Sequence, residues 1–209
     1  YYELKKKKFF IMFFFINILI LGIFKYTDFI ILNVNVLFNQ NIKLWNIQFP
    51  LAISFFTFQQ ITYLVDCFNN VIKKKKFLDY SLFVVFFPQL IAGPIVRGQY
   101  FKKQLQKKFN FNSIFLTTGL TLFLIGVFKK VVLADQASVF TYSLYAQPND
   151  FYSFLTIIGI FAFSIQIYFD FSGYTDMARG VAYCFGIRLP INFLNPYNAV
   201  GFRDFWRRW

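Results

Sequence analysis

The run SIFLTTGLTLFLIGVFKKVVL, residues 113–133, decides the fold class. Its only charges are the doublet Lys129-Lys130. A helix rises about 1.5 Å per residue and the hydrocarbon core of a bilayer is about 30 Å thick, so about 20 such residues suffice to cross it. A helix also satisfies its own backbone hydrogen bonds, which lipid cannot do for it. The run therefore predicts a membrane-spanning helix.

Four more apolar blocks accompany it. Phe9–Phe24 follows the basic run Lys5–Lys8, and is short for a span unless helix continues through Lys25 toward Leu37. Pro50–Phe68, Phe77–Ala92 and Tyr152–Phe171 are the others, the last with apolar helix continuing to about Phe185. Of the chain's 209 residues, 57% are hydrophobic and 15% charged, and Phe alone supplies 34. Mean hydropathy is +0.50. So little charge cannot coat a water-soluble globule, for which about 25% is usual. The expected fold class is all-α: a polytopic transmembrane helical protein with a re-entrant segment and interfacial helices, forming a single partial transmembrane domain over residues 1–209. The N-terminus begins in mid-pattern, so the sequence is expected to start inside a larger protein.

The formal net charge is +13. The basic residues fall in short runs between apolar blocks, the pattern of Lys and Arg holding loops on the cytoplasmic face. They do not share a polar surface with aromatic residues, as nucleic-acid binding would need. Lys5–Lys8 and Lys73–Lys76 are both expected inside, with two spans between them. A full crossing by Phe77–Ala92 would put Arg97, Lys102, Lys103, Lys107 and Lys108 outside. That block is short, holds Pro88 and runs into Gly93-Pro94, all of which favour a broken helix. The expectation is therefore spans at about 9–24, 50–68, 113–133 and 152–171, a re-entrant segment at about 77–94, and a cytoplasmic or interfacial tail at 186–209. Asp135 and Asp150 then lie outside, while Lys129 and Lys130 must snorkel or face a polar interior. Residues 33–46 read as a loop or interfacial helix, with Trp45 suited to the headgroup region.

The densest polar cluster is Tyr168-Phe169-Asp170-Phe171-Ser172-Gly173-Tyr174-Thr175-Asp176-Met177-Ala178-Arg179. Asp176 and Arg179 are three apart and can pair on a helix. One reading is a helix end with a local ion pair. The other is a wall of an intramembrane tunnel, since ionisable groups near lipid usually face a bundle interior. Asn192, Asn195, Tyr197 and Asn198 surround Pro190 and Pro196 and read first as a turn-rich loop. Arg203, Arg207 and Arg208 with Trp206 and Trp209 read either as an interfacial anchor or as a site for an anionic group, which Arg can grip with two donors. Gln59 and Gln60 lie deep in their block and need partners. No metal site is expected: there is no His, and Cys67 and Cys184 form no spaced motif.

Pattern alone ends there. Four stretches together resemble the membrane-bound O-acyltransferase family, in its bacterial alginate O-acetyltransferase-like branch. They are Ser54-Phe55-Phe56-Thr57-Phe58-Gln59-Gln60, the stretch from Phe86 through Pro88-Gln89 and Gly93-Pro94 to Arg97, Gly126-Val127-Phe128-Lys129-Lys130 through Asp135, and Phe169 through Ala178. The tail from Asn192 through Phe205-Trp206-Arg207-Arg208-Trp209 is similar too. The resemblance covers roughly residues 28–209. It implies an O-acyltransferase that moves acetyl groups across a bacterial cytoplasmic (inner) membrane onto an extracytoplasmic polysaccharide such as alginate or peptidoglycan. It implies acetyl-CoA or another activated acyl carrier as donor on the cytoplasmic side, membrane lipid around the chain, and an esterase-like partner in the periplasm or outside. The family's catalytic His is expected beyond Trp209, so these 209 residues are expected to be inactive alone. The candidate tunnel or substrate-lining residues are Gln59, Gln89, Gly93, Pro94, Arg97, Asp170, Ser172, Tyr174, Asp176, Arg179, Asn192, Arg203, Trp206 and Arg207. A membrane transporter or channel is the alternative, because a helix broken by Pro88, Gly93 and Pro94 suits one equally.

The re-entrant topology has a direct test. A cysteine introduced by Gln99→Cys is expected to react with an impermeant thiol reagent only from the cytoplasmic face. Labelling from outside intact cells would replace the re-entrant segment with a full span.

Overall fold

The computed structural model describes residues 2–72, 76–90, 93–94, 96–106, 113–146 and 153–209. Every regular element among them is helical. Three helices are long and apolar enough to cross a membrane: Lys6–Phe38, Ser113–Ala146 and Phe154–Cys184. Lys73–Lys75, Ile91, Ala92, Lys107, Lys108, Asp150 and Tyr152, on which parts of the expected topology rest, lie outside the described residues. The chain divides into two compact units.

The first unit takes Tyr1–Ile91 and Ile95–Gln106. Its helix α1, Tyr2–Phe38, runs on through Lys25, so the apolar block at 9–24 is the middle of a longer element. Residues 40–48 form neither helix nor strand but fold back along the end of α1. Asp28 there accepts the backbone N–H of Trp45 at 2.9 Å and of Asn46 at 3.0 Å. Asn35 exchanges two bonds with the backbone of Ile42. Helix α2, Ile53–Phe68, starts after a turn in which Ala52 is left-handed, with φ 59°. It lies antiparallel to α1: Phe10 stacks on Phe68 at 4.6 Å. Lys6 Nζ donates to the carbonyl of Phe68 at 2.5 Å and to Asn70 Oδ1 at 2.8 Å, satisfying part of the open C-terminus of α2.

The segment at 77–94 is broken, and Pro88 explains why. Its ring supplies no N–H and clashes with the carbonyl four residues back. Helix α3 ends at Val85, Phe86 is extended, and a single turn, α4, spans Phe87–Leu90. Helix α5, Gly98–Leu105, follows. Tyr63, Phe83 and Phe101 make the core of this unit, with ring centroids 5.7 Å apart in each successive pair. Gly98 lets α5 approach: a Cβ there would sit 2.7 Å from the Tyr63 ring.

The second unit takes Ala92–Pro94 and Lys107–Trp209. Helix α6, Ser113–Phe128, passes into a π-helical segment at Lys129–Ala134 and then into α7, Asp135–Ala146, without interruption. The helix therefore does not end near Leu133. Helix α8, Ser153–Cys184, lies antiparallel against it. Four glycines set their separation. Gly119 meets Gly180, and Gly126 meets Gly173, so closely that a Cβ on any of them would fall 2.5–2.8 Å from atoms of the other helix. Beyond α8 the chain turns on Gly186, at φ 70°. The N–H of Gly186 bonds to Tyr183 and that of Ile187 to Ala182, which closes the helix end. A short 3₁₀ turn, Pro196–Asn198, and helix α9, Phe202–Arg208, complete the unit.

The glycine contact predicts unequal costs for one added methyl group. Gly126→Ala or Gly173→Ala is expected to destabilise the protein by about 1–3 kcal/mol through overpacking. Gly22→Ala, with open space around it on α1, is expected to be neutral or mildly stabilising. Thermal unfolding in detergent compares them, and equal effects would refute the close approach.

Candidate functional site

Lys129 and Lys130 are adjacent in an apolar helix, and a lysine at the centre of a bilayer costs about 2.5–3.5 kcal/mol. Both find carboxylates on α8. Lys129 Nζ lies 2.5 Å from Asp176 Oδ2, and Arg179 holds the other oxygen of Asp176 at 2.9 Å. Lys130 Nζ lies 2.7 Å from Asp170 and 2.8 Å from Asp135. It also sits 5.5 Å over the ring of Tyr174. Three cations thus meet three carboxylates, and the set is neutral.

The π segment brings this about. The buried positions Gly119, Gly126, Ala134 and Thr141 step by seven, eight and seven residues. The eighth residue in the middle step is absorbed by i→i+5 bonding, a form that recurs at functional sites. Thr141 below it bonds to Gln166 of α8 at 2.5 Å. Beside the network, Ser172 is 2% exposed, and its hydroxyl has no hydrogen-bond partner among the described residues. The Nε of Arg179 is likewise buried and unpartnered. Such orphaned groups mark places where water or a ligand atom can be taken up.

The tail returns along α8 instead of continuing away from it. Tyr197 donates its hydroxyl to the carbonyl of Ser164 at 2.7 Å, twenty residues before the end of the helix. Tyr168, the sixteenth of the 32 residues of α8, is the hub of an aromatic cluster. Phe193, Tyr197 and Trp209 pack on it at 5.7, 5.4 and 6.3 Å. Asp204 closes the tail on itself, accepting from Arg207 at 2.7 Å and from Arg208 at 2.8 Å. The N–H of Leu194 reaches the carbonyl of Arg208 at 2.8 Å. The bond from Arg208 holds the Asp204 carboxyl below the usual carboxylate range. The latch is therefore intact at neutral pH and is lost as pH falls through that lowered value.

The site residues named from sequence fall in separate places. Asp170, Ser172, Tyr174, Asp176 and Arg179 gather on one length of α8. Arg203, Trp206 and Arg207 point outward from α9, and Asn192 precedes the tail's bond at Leu194. In the first unit, Gln59 and Gln89 are 1% and 0% exposed. Gln89 donates to the carbonyl of Phe83 at 2.8 Å, and the Oε1 atoms of both have no partner among the described residues. Arg97 is exposed just before α5, while Gly93 and Pro94 are buried. Sequence reading allowed Lys129 and Lys130 a polar interior without naming their partners, expected Asp135 outside, and missed Tyr168 as the tail's anchor. A charged doublet inside an apolar run was the available signal.

Removing one member of the network should cost more than removing two. Asp176→Asn leaves Lys129 and Arg179 uncompensated and is expected to destabilise by about 3–5 kcal/mol. Adding Lys129→Met to Asp176→Asn should recover part of that loss. Unfolding midpoints of the single and double variants measure it, and an additive loss would show that the pair does not interact.

Residues 69–209 match the family model described as MBOAT, membrane-bound O-acyltransferase family. The chain is 41% identical over 220 residues to a peptidoglycan O-acetyltransferase of Helicobacter pylori, covering 92% of this chain and 42% of that protein. It is 35% identical over 202 residues to the probable alginate O-acetylase AlgI of Pseudomonas aeruginosa, covering 93% and 38%. It is 31% identical over 164 residues to a teichoic acid D-alanyltransferase of Bacillus subtilis, covering 76% and 41%. The chain spans about two fifths of the length of these curated relatives. With a family model matched over most of its residues, three helices fit to cross a bilayer and a neutral charge network between two of them, the chain belongs to the membrane-bound O-acyltransferase family.

Proposed function

We propose that this chain forms part of an O-acyltransferase that carries acetyl groups across a bacterial inner membrane to hydroxyl groups of an extracytoplasmic polysaccharide. The family match over residues 69–209 carries the reading. Its further support is that the relatives above are named for group transfer involving peptidoglycan, alginate and teichoic acid. None of them favours a transporter or channel.

The chemistry divides the labour. A sugar hydroxyl is a poor nucleophile at neutral pH and needs a base whose pKa lies near 7, for which His is the usual choice. The chain has no His. Asp170 and Asp176 are engaged by Lys130, Lys129 and Arg179, so they neutralise and position instead of taking a proton. In this reading the base is a His expected beyond Trp209. The acyl donor is acetyl-CoA or another activated carrier arriving from the cytoplasm. An esterase-like protein on the far side completes the transfer.

Acetyl transfer by the full-length protein tests this. Changing the first His after Trp209 to Ala is expected to lower turnover by about 10²–10⁴-fold, the usual contribution of a general base. Unchanged turnover would remove the His from the mechanism.

A further inference from the structure

Basic segments far apart in sequence meet at one end of the first unit. Helix α1 brings Lys6, Lys7 and Lys8, and Lys6 Nζ reaches Asn70 Oδ1 at 2.8 Å. Ile72, just beyond, is buried, and a Cβ on Gly98 would lie 3.1 Å from it, so Arg97 and the start of α5 stand there too. Lys76 is the N-cap of α3, and Asp79 in the first turn of that helix holds Lys102 of α5 at 3.3 Å. Lys7, Lys8, Lys76, Arg97 and Lys103 are exposed, and their side chains make no hydrogen bond or ion pair among the described residues. Of the nearby carboxylates, Asp79 is engaged by Lys102 and Asp66 is buried. The sequence sets Lys5, Lys73, Lys74 and Lys75 next to these positions, against Glu3.

The bilayer boundary passes through this end. Helix α1 is one of those long and apolar enough to cross a membrane. Its residues 9–24 carry no charge, and Lys8 and Lys25 bracket them. That stretch rises about 24 Å, a little less than the hydrocarbon thickness of about 30 Å, so each lysine reaches a headgroup layer by extending its stem. Apolar side chains stand bare at the same end: Phe77 is 83% and Leu78 67% exposed, in the first turn of α3 beside Lys76. Lysines next to exposed aromatic and aliphatic groups at a bilayer boundary match phosphate headgroups above acyl chains. A water-borne acidic protein would answer the charge alone; the boundary position, where headgroups already lie, favours lipid.

We propose that this end of the first unit is a binding surface for anionic phospholipid, in which the lysines and Arg97 hold headgroup phosphates while Phe77 and Leu78 enter the top of the acyl region. Arg97 can grip a phosphate with two parallel bonds, and the lysines act as point charges. The surface is assembled from separate segments, so it exists only in the folded protein; the topological preference of each basic run is carried by sequence alone. Such a surface is independent of the acyl transfer proposed above.

Native mass spectrometry of the full-length protein, titrated in mild detergent with phosphatidylglycerol or phosphatidylcholine, tests it. Phosphatidylglycerol is expected to be bound in preference. Each charge removed by Lys76→Gln, Arg97→Gln or Lys103→Gln is expected to lower its affinity about fivefold, and the three together on the order of a hundredfold, with phosphatidylcholine unaffected. Phe77→Ala is expected to weaken both lipids alike. Equal binding of the two lipids by the unaltered protein overturns the proposal, as does a preference that the folded triple variant retains. Should that variant fail to fold, the single substitutions at exposed Lys76 and Lys103 decide, and unchanged phosphatidylglycerol affinity in both overturns it. Loss of binding to an acidic acyl carrier protein, with lipid affinity unchanged, assigns the surface to a protein partner and also overturns it.

Discussion

The contact of two backbones at Gly126 and Gly173 conditions the rest of the second unit. Each glycine places its neighbour within reach of the opposite main chain, at a separation no side chain would permit. Helices held that close can join short charged groups across the gap. Asp176 is a short side chain, and it meets Lys129 only because the main chains bearing them are near. In lipid the same closeness has an energetic role. With no hydrophobic effect between apolar helices in an apolar solvent, association relies on close packing and polar contacts, and small residues at the interface supply the first.

Closeness and charge then reinforce each other. Six ionisable groups in the same stretch of membrane would be prohibitive if left apart, yet in contact they form a set without net charge. Neutrality explains why so polar a patch can stand beside aromatic surface. It also isolates what is not balanced: the arginines of α9, which outnumber the one carboxylate of Asp204 beside them.

Much of this was legible in the sequence, for identifiable reasons. Three of the apolar runs announced helices fit to cross a bilayer because lipid imposes length and composition on them. Pro88 announced the break between α3 and α4 because its effect is local. The i,i+3 pair of Asp176 and Arg179 was visible from spacing alone. What escaped depends on distant partners. Asp135, Gln136 and Ser138 look like the wet end of a span, and only Lys130 and Asp170 make it reasonable for helix to run on to Ala146. The return of the tail along α8 rests on the bond from Tyr197 to Ser164, 33 residues apart, and on rings contributed by three separate segments. A stretch rich in Pro and Asn gives no local hint of where it will dock.

The π segment at Lys129–Ala134 changes what counts as a small difference among members of this family. An α-helix advances about 100° per residue, so one extra residue taken up without breaking the helix rotates everything beyond it by that angle. Removing one residue there would restore a plain α-helix and turn Asp135 and Thr141 away from α8, although no side chain had been altered. When related chains are aligned across this stretch, a single gap therefore outweighs several substitutions, and percentage identity, which counts residues and ignores phase, is blind to the change.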